Sequence, residues 1–166
     1  MHLSTKAFNL ANKRYVMHYS IFDVIGPVMI GPSSSHTAGA ARIGFEMSKT
    51  ISGKINSAEI ILYNSFADTG EGHGTKIALL GGLLGISPEN LELKESFSVA
   101  SENKMAFVFR QLQDNSKHPN SVMFLVQTDY GCFSGFGESL GGGLIKFRAI
   151  LPEVRSVGVH AKSAAF

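Results

Sequence analysis

The chain has 166 residues, of which 44% are hydrophobic and 17% are charged. This length is sufficient for one domain with a buried core. The 15 Lys+Arg and 13 Asp+Glu give a formal net charge of +2, and they form no basic block of the kind that binds nucleic acid. The longest apolar run, residues 77–86, is too short for a membrane span, which needs about 18 residues. No secretory leader is evident at residues 1–17, so we expect a cytoplasmic protein.

The chain contains one cysteine, Cys132. An internal disulfide is therefore excluded. A metal or iron–sulfur site built from several cysteines of this chain alone is excluded for the same reason.

Two helices are predicted, and each directly follows a turn. After a short strand or apolar turn at residues 19–24, the segment GPSSSHT precedes a helix at residues 38–50. The hydroxyl residues ahead of this helix are typical N-cap residues. The segment GEGHGT precedes a second helix, at residues 76–84, which Gly85 ends.

Strands are predicted from β-rich segments at residues 59–63, 105–110, 121–128 and 144–150. The glycine-rich stretch 131–143 predicts a flexible turn between the last two strands. Residues 91–103 show no clear pattern. Two helices with four or five strands, the later ones consecutive, predict an α+β two-layer sandwich.

Both turns have the chemistry of an anion site. A helix N-terminus has free N–H groups and a partial positive charge, so the loop that enters it can bind a carboxylate or phosphate. The first turn adds donors from Ser33, Ser34, Ser35, His36 and Thr37. The second turn contains Gly72, His73, Gly74 and Thr75, in which the glycines allow close backbone approach. The alternative for each turn is a helix cap or tight turn that binds no ligand.

Other catalytic patterns fit poorly. The first turn lacks the second glycine and the lysine of a nucleotide-binding P-loop. Residues 137–141 (GESLG) match G-x-S-x-G, but a nucleophile elbow needs a following helix, and here a β-rich segment follows. The histidines show no H-E-x-x-H spacing for a metal.

Four segments, in this order, resemble the β chain of iron–sulfur-dependent L-serine dehydratases. They are FDVIGPVMIGPSSSHTAGAARIG at residues 22–44, SFADTGEGHGTKIALLGGLLG at 65–85, HPN at 118–120 and GESLGGGLIKF at 137–147. The resemblance covers residues 20–150. It implies a cytoplasmic bacterial enzyme that converts L-serine to pyruvate and ammonia without pyridoxal phosphate. It further implies that an α chain carries a [4Fe–4S] cluster with one iron open to the substrate.

The resemblance also implies a fold and residue roles. The β chain is similar to the allosteric substrate-binding domain of some phosphoglycerate dehydrogenases, a two-layer α+β fold. The substrate carboxylate is expected at Ser33, Ser34, Ser35, His36 and Thr37, with Gly72 and Gly74 nearby. Proton transfer is expected from His73 and Thr75. Because the intrinsic pKa of histidine lies near neutrality, we favour His73 as the base and Thr75 as an orienting or relay group.

Three segments are predicted along the chain. Residues 1–18 are expected to be a disordered N-terminal extension, and residues 19–150 the serine dehydratase β domain. Residues 151–166 are an atypical tail, with no ACT domain of the kind that usually follows in separate β chains. The tail is either an altered end or the mark of a subtype without that regulatory module. A homodimer of the β domain is compatible with this organisation.

Three functions therefore remain open. The chain is a catalytic β subunit that needs its α chain, a serine-sensing module without a catalytic role, or a binding domain for other small acids. Only the first predicts that loss of His73 impairs turnover in a complex with the α chain. A sensor would lose serine binding and leave turnover intact.

Overall fold

A computed structural model describes residues 34–70 and 74–150, and for Ser34 and Ser35 it describes the backbone alone. A π-helical turn, Ser34–Ala38, leads into helix α1, and a 3-10 turn, Leu91–Glu95, precedes the last helix. The helices are α1 (Gly39–Ser48), α2 (Ser65–Asp68), α3 (Thr75–Leu83) and α4 (Ser96–Glu102). The strands are β1 (Ile55–Tyr63), β2 (Ala106–Leu112), β3 (Ser121–Thr128), β4 (Gly131–Gly141) and β5 (Leu144–Ile150). The predicted element at residues 19–24, the extension at 1–18 and the tail at 151–166 lie outside the described residues.

Within these ranges the strands form one mixed sheet in the order β2-β1-β3-β4-β5. β1 and β2 are parallel, and the other neighbouring pairs are antiparallel. The parallel pair is connected through α2, α3 and α4, since two parallel neighbours need a long crossover. This arrangement confirms the predicted α+β class, while the two-layer sandwich stays a prediction.

The core lies between one face of the sheet and the apolar face of helix α1. Over most of their length, strands β1 and β3 bury every second residue, as a strand with one face on a core does. The apolar side chains of this row are Ala58, Ile60, Leu62, Val122, Phe124 and Val126. Helix α1 buries Ile43 and Met47, four residues apart on one face. None of the helices in residues 34–70 and 74–150 is long and apolar enough to cross a membrane.

Helices α1 and α3 cross at two glycines. A Cβ on Gly44 would lie 2.9 Å from the backbone nitrogen of Leu83, and one on Gly82 would lie 2.6 Å from that of Phe45. Only residues without a side chain permit this separation, so the glycines set the distance between the two helices.

The prediction of a flexible turn at residues 131–143 is wrong. Residues 131–141 form β4, which pairs with β3 on one side and β5 on the other. The glycines are needed because α1 lies against this strand: a Cβ on Gly135 would lie 2.7 Å from Met47 Sδ, and one on Gly137 would lie 3.2 Å from Ile43 Cγ1. The turn is limited to Gly142 and Gly143, both with positive φ.

No side chain caps α1 where it follows the π-helical turn, and Ser33, which directly precedes that turn, lies outside the described residues. Ala38 occupies the N-cap position of α1. The SSHT residues lie within the π-helical turn Ser34–Ala38, so they belong to the helical entrance instead of a loop ahead of it. Helix α3 begins after Gly74, whose φ of 71° is left-handed and therefore favours glycine.

Candidate functional site

The four motif segments meet at one end of the sheet, in a row that crosses four strands. Tyr63 at the end of β1 pairs with Ser121 at the start of β3, Ser121 pairs with Glu138, and Glu138 pairs with Lys146. We call this row of four residues and the turns beside it the motif edge. The π-helical turn, α2 and residues 118–120 all lie at this edge, although they are far apart in sequence.

Hydrogen bonds connect the motif segments directly. His36 Nε2 lies 3.0 Å from Ser65 Oγ, which joins the π-helical turn to α2. The backbone N–H of Phe66 donates to Pro119 O at 3.3 Å. The N–H of Ser139 in turn donates to Asn120 O at 2.9 Å. The segments therefore form one continuous hydrogen-bonded unit.

Arg42 fixes the glycine turn to helix α1. Its guanidinium Nη1 donates to Gly143 O at 3.0 Å. Gly142 and Gly143 have φ of 58° and 79°, so the turn has a conformation that side chains disfavour. This contact connects the GGG segment to the helix that follows the SSHT turn.

The first predicted binding group is partly defined. Thr37 is buried, and the His36 ring lies 5.8 Å from the ring of Phe66, inclined by 58°. His36 is thus held between Ser65 and Phe66, a placement that suits a residue that positions the turn. Ser33 lies outside the described residues, and Ser34 and Ser35 have a described backbone within the π-helical turn.

The second group centres on Thr75, the first residue of α3. Thr75 is 0% exposed, and its Oγ1 has no hydrogen-bond partner among the described residues. A buried hydroxyl without a partner costs about 1–3 kcal/mol, so such groups are rare and require an explanation. Gly74 precedes it in the left-handed conformation, while Gly72 and His73 lie outside the described residues.

Asn120 belongs to the HPN segment, but the sequence did not predict it as a site residue. Its side-chain Oδ1 is buried and has no hydrogen-bond partner in the part of the chain that the structure describes. Its backbone is engaged on both sides, because its N–H donates to His118 Nδ1 at 3.2 Å and its carbonyl accepts from Ser139. The hydrogen bonds of the Asn120 backbone therefore hold the residue in place.

The loop that carries Asn120 is fastened to the end of β1. Asn64 has a φ of 51°, and its side chain donates to the carbonyls of Asp114 and Lys117 and accepts from the Asp114 N–H at 2.8 Å. Asn tolerates this left-handed conformation better than most residues. Because α2 follows immediately, Asn64 fixes the loop relative to the motif edge.

An ion pair stabilises the same loop. Lys117 Nζ donates to the Asp114 carboxylate and lies 4.9 Å from the centre of the Tyr63 ring. The hydrogen bonds from Lys117, and then from Ser116, lower the pKa of Asp114 to about 2. The hydrogen bond to Asp114 in turn raises the pKa of Lys117.

The donors of this chain do not fit an iron–sulfur cluster. Residues 34–70 and 74–150 contain no group of three or more His, Cys, Asp or Glu side chains that could hold a metal ion. Cys132, the only cysteine of the sequence, is exposed and lies at the opposite end of the sheet, in the β3–β4 hairpin. Such a cluster requires several thiolates.

The G-x-S-x-G pattern is not a nucleophile elbow. Ser139 is buried inside strand β4, and β5 follows it instead of a helix. A nucleophile elbow exposes its serine on a turn between a strand and a helix. The serine-hydrolase alternative is thereby removed.

Two further residues, Ser65 and Arg42, were also missed as parts of the site. Ser65 stands at the start of SFADTGEGHGT, but nothing in the sequence links it to His36, 29 residues earlier. Arg42 and Gly143 are 101 residues apart. Each residue lies in or beside a motif segment, which is the signal that could have indicated it.

The described fold and the motif edge define an α+β domain that collects hydroxyl, imidazole and amide groups at one end of its sheet. Residues 20–105 match the family model described as serine dehydratase beta chain. The chain belongs to this family.

The matched relatives have corresponding names. The chain is 44% identical over 131 residues to "L-serine dehydratase, beta chain" of Peptoniphilus asaccharolyticus, covering 77% of this chain and 59% of that protein. It is 40% identical over 143 residues to "Probable L-serine dehydratase, beta chain" of Bacillus subtilis, covering 85% and 64%. "L-serine dehydratase 1" of Escherichia coli is 35% identical over 79 residues, or 45% of this chain and 17% of that protein. The chain thus spans about three fifths of the length of the two beta chains.

Proposed function

We propose that the chain is the β subunit of an L-serine ammonia-lyase, which converts L-serine to pyruvate and ammonia. The observation that carries this proposal is the buried hydroxyl of Thr75 in the second motif segment, which has no hydrogen-bond partner among the described residues. The family and the names of the relatives give the reaction class. An orphaned polar group in such a segment is expected where a ligand supplies the missing bond.

The first step is capture of the substrate carboxylate. Ser33, Ser34 and Ser35 offer hydroxyl donors, and backbone N–H groups are free at a helical entrance. His36, held by Ser65, fixes this turn beside α2. The turn therefore binds the end of the substrate that does not react and orients its Cα.

The second step is proton removal. His73 takes the proton from Cα because its intrinsic pKa lies near neutrality. Thr75, two residues further on, has a buried hydroxyl that orients the reacting groups by a hydrogen bond or relays the proton. The substrate hydroxyl leaves from the neighbouring carbon, and the resulting aminoacrylate hydrolyses to pyruvate and ammonia.

The partner is an α chain. We assign the [4Fe–4S] cluster to that chain because the described residues of this one offer no set of thiolates. No pyridoxal phosphate is needed. A cytoplasmic location and a homodimer of the β domain remain predictions.

Anaerobic co-expression with a cognate α chain tests this proposal, with pyruvate formation as the readout. We expect activity only from the complex and a loss of at least about a hundredfold with His73→Ala, since general bases contribute about 10²–10⁴. Asn56→Leu, an exposed change at the other end of β1, is the control. Full turnover with His73→Ala together with weakened serine binding would instead identify a serine sensor.

A further inference from the structure

The side-chain oxygen of Asn120 is buried and makes no hydrogen bond within the described residues. Among the described residues, the buried side-chain nitrogen and oxygen atoms without a hydrogen-bond partner are Thr75 Oγ1 and Asn120 Oδ1. Both belong to motif segments. Buried carbonyl oxygens nearly always have a partner, so an orphaned one indicates a group that is supplied from outside the fold.

Hydrogen bonds of the surrounding backbone restrict any movement of Asn120 Oδ1 towards another partner. The Asn120 N–H is bonded to His118 and its carbonyl to Ser139, while the hydroxyl of Ser121 is bonded to His118 O at 2.8 Å. Asn64 fastens the loop to the end of β1. These hydrogen bonds fix the backbone around Asn120, so the position of its side-chain amide is restricted.

The chemistry of the missing partner follows from the atom. A carbonyl oxygen only accepts, so its partner must be a donor. L-serine brings a carboxylate, a hydroxyl and an ammonium group, and the proposed function assigns no residue to the ammonium. An ammonium has three donors and no acceptor, which matches the orphaned oxygen.

We infer that Asn120 Oδ1 accepts a hydrogen bond from the ammonium group of the substrate, and so selects α-amino acids over the corresponding hydroxy acids. This inference rests on the proposed function and extends it to specificity. A hydrogen bond from a charged donor is roughly twice as strong as one from a neutral donor, so this acceptor favours an ammonium over the hydroxyl of the hydroxy acid.

The test compares two ligands on the same protein. Titration calorimetry on the full chain, and on its complex with the α chain, measures L-serine and the glycerate of the same configuration, which carries a hydroxyl in place of the ammonium. The variants are Asn120→Leu, which removes the acceptor at similar size, and Asn120→Asp, which keeps an acceptor and has no amide donor. Asn56→Leu is the matched control, since Asn56 is exposed and bonded to Asp129.

Loss of a hydrogen bond to a charged group weakens binding about ten- to a hundredfold. We expect that loss for serine with Asn120→Leu, a smaller loss of less than about tenfold for glycerate, whose hydroxyl donates only a neutral hydrogen bond, and retained serine binding with Asn120→Asp. The ratio of the two affinities does not depend on the folded fraction, so poor folding of a variant does not mask the result.

An equal loss for both ligands with Asn120→Leu would show a structural role and overturn the inference. Loss of serine binding with Asn120→Asp would show that the amide acts as a donor, and unchanged affinities for both ligands with Asn120→Leu would show no role at all. In each of these cases the proposed function stands, provided that the wild-type chain binds serine. If neither the wild-type chain nor its complex binds serine, the proposed function fails and this inference fails with it.

Discussion

Replacing Thr75 with valine should stabilise the chain while it abolishes activity. Thr75 is 0% exposed, and its Oγ1 is without a hydrogen-bond partner among the described residues. Valine has nearly the same shape, so the change leaves no cavity and removes only the orphaned hydroxyl. The helix propensities of the two residues are similar.

The magnitude follows from the burial of that hydroxyl. An unsatisfied buried polar group costs about 1–3 kcal/mol, and the substitution also buries an additional methyl group. We expect the free energy of unfolding to rise by about 1–2 kcal/mol. The midpoint of thermal unfolding should rise by roughly 2–4 °C per kcal/mol for a chain of this size.

Thr128 provides a control with the opposite sign. It is 2% exposed, but its Oγ1 donates to Gly131 O at 3.2 Å and accepts from the Tyr130 N–H at 3.1 Å. Thr128→Val therefore leaves two polar groups without their partner and should cost about 1–2 kcal/mol. Thr75→Ser should remain close to wild type in activity, since it keeps the hydroxyl.

Urea unfolding of the full chain, monitored by circular dichroism, measures both stabilities. Pyruvate formation with the α chain measures the activity of the same variants. A loss of stability of about 1 kcal/mol or more with Thr75→Val would refute the reasoning, because it would show that the hydroxyl has a structural partner in the resting chain. Retained activity would remove Thr75 from the proposed mechanism.

Three further predictions concern the helix crossing, the His36 contact and the ion pair. Gly82→Ala should lower the free energy of unfolding by about 2 kcal/mol despite the better helix propensity of alanine, because the new Cβ meets backbone; a more stable variant in urea unfolding would contradict this. Ser65→Ala should weaken serine binding about three- to tenfold by releasing His36, whereas Ser65→Thr keeps the bond, and calorimetry that finds equal affinities would rule out the positioning role. The pKa of Asp114 is lowered from 3.8 to about 2, so its stabilising effect is present above about pH 4 and disappears as the pH falls towards 2. Urea unfolding from pH 2 to 7 should therefore show a stability gap between wild type and Asp114→Asn that narrows below pH 4, and a gap that does not change with pH would contradict the pairing with Lys117.

Local pattern determined much of the fold. Residues 121–128 and 144–150 were predicted as strands with the bounds that the structure has, because β-branched and aromatic residues cluster there between turn signals. The helix predicted at residues 76–84 is shifted by one residue, to Thr75–Leu83. Such segments carry their own signal within a few residues, so no distant contact is needed to place them.

Strand β4 shows where local pattern fails. Glycine is unfavourable in strands, and residues 131–143 therefore indicated a turn. The reason for Gly135 and Gly137 lies about 90 residues earlier, in Met47 and Ile43 of helix α1, which occupy the space that side chains would need. A steric requirement of that kind cannot be read from the neighbours in sequence.

The sequence alone indicated four motif segments, GPSSSHT, GEGHGT, HPN and GESLGGG, and it predicted site residues in the first two. Only the tertiary structure decided that His36 contacts Ser65 and that Arg42 fixes the glycine turn. It also decided that Thr75 Oγ1 and Asn120 Oδ1 are buried without a hydrogen-bond partner among the described residues. The physical reason is that hydrogen-bond satisfaction depends on distance and burial in three dimensions. Residue type states what a group can donate or accept, and the packed fold decides which groups are left for a ligand.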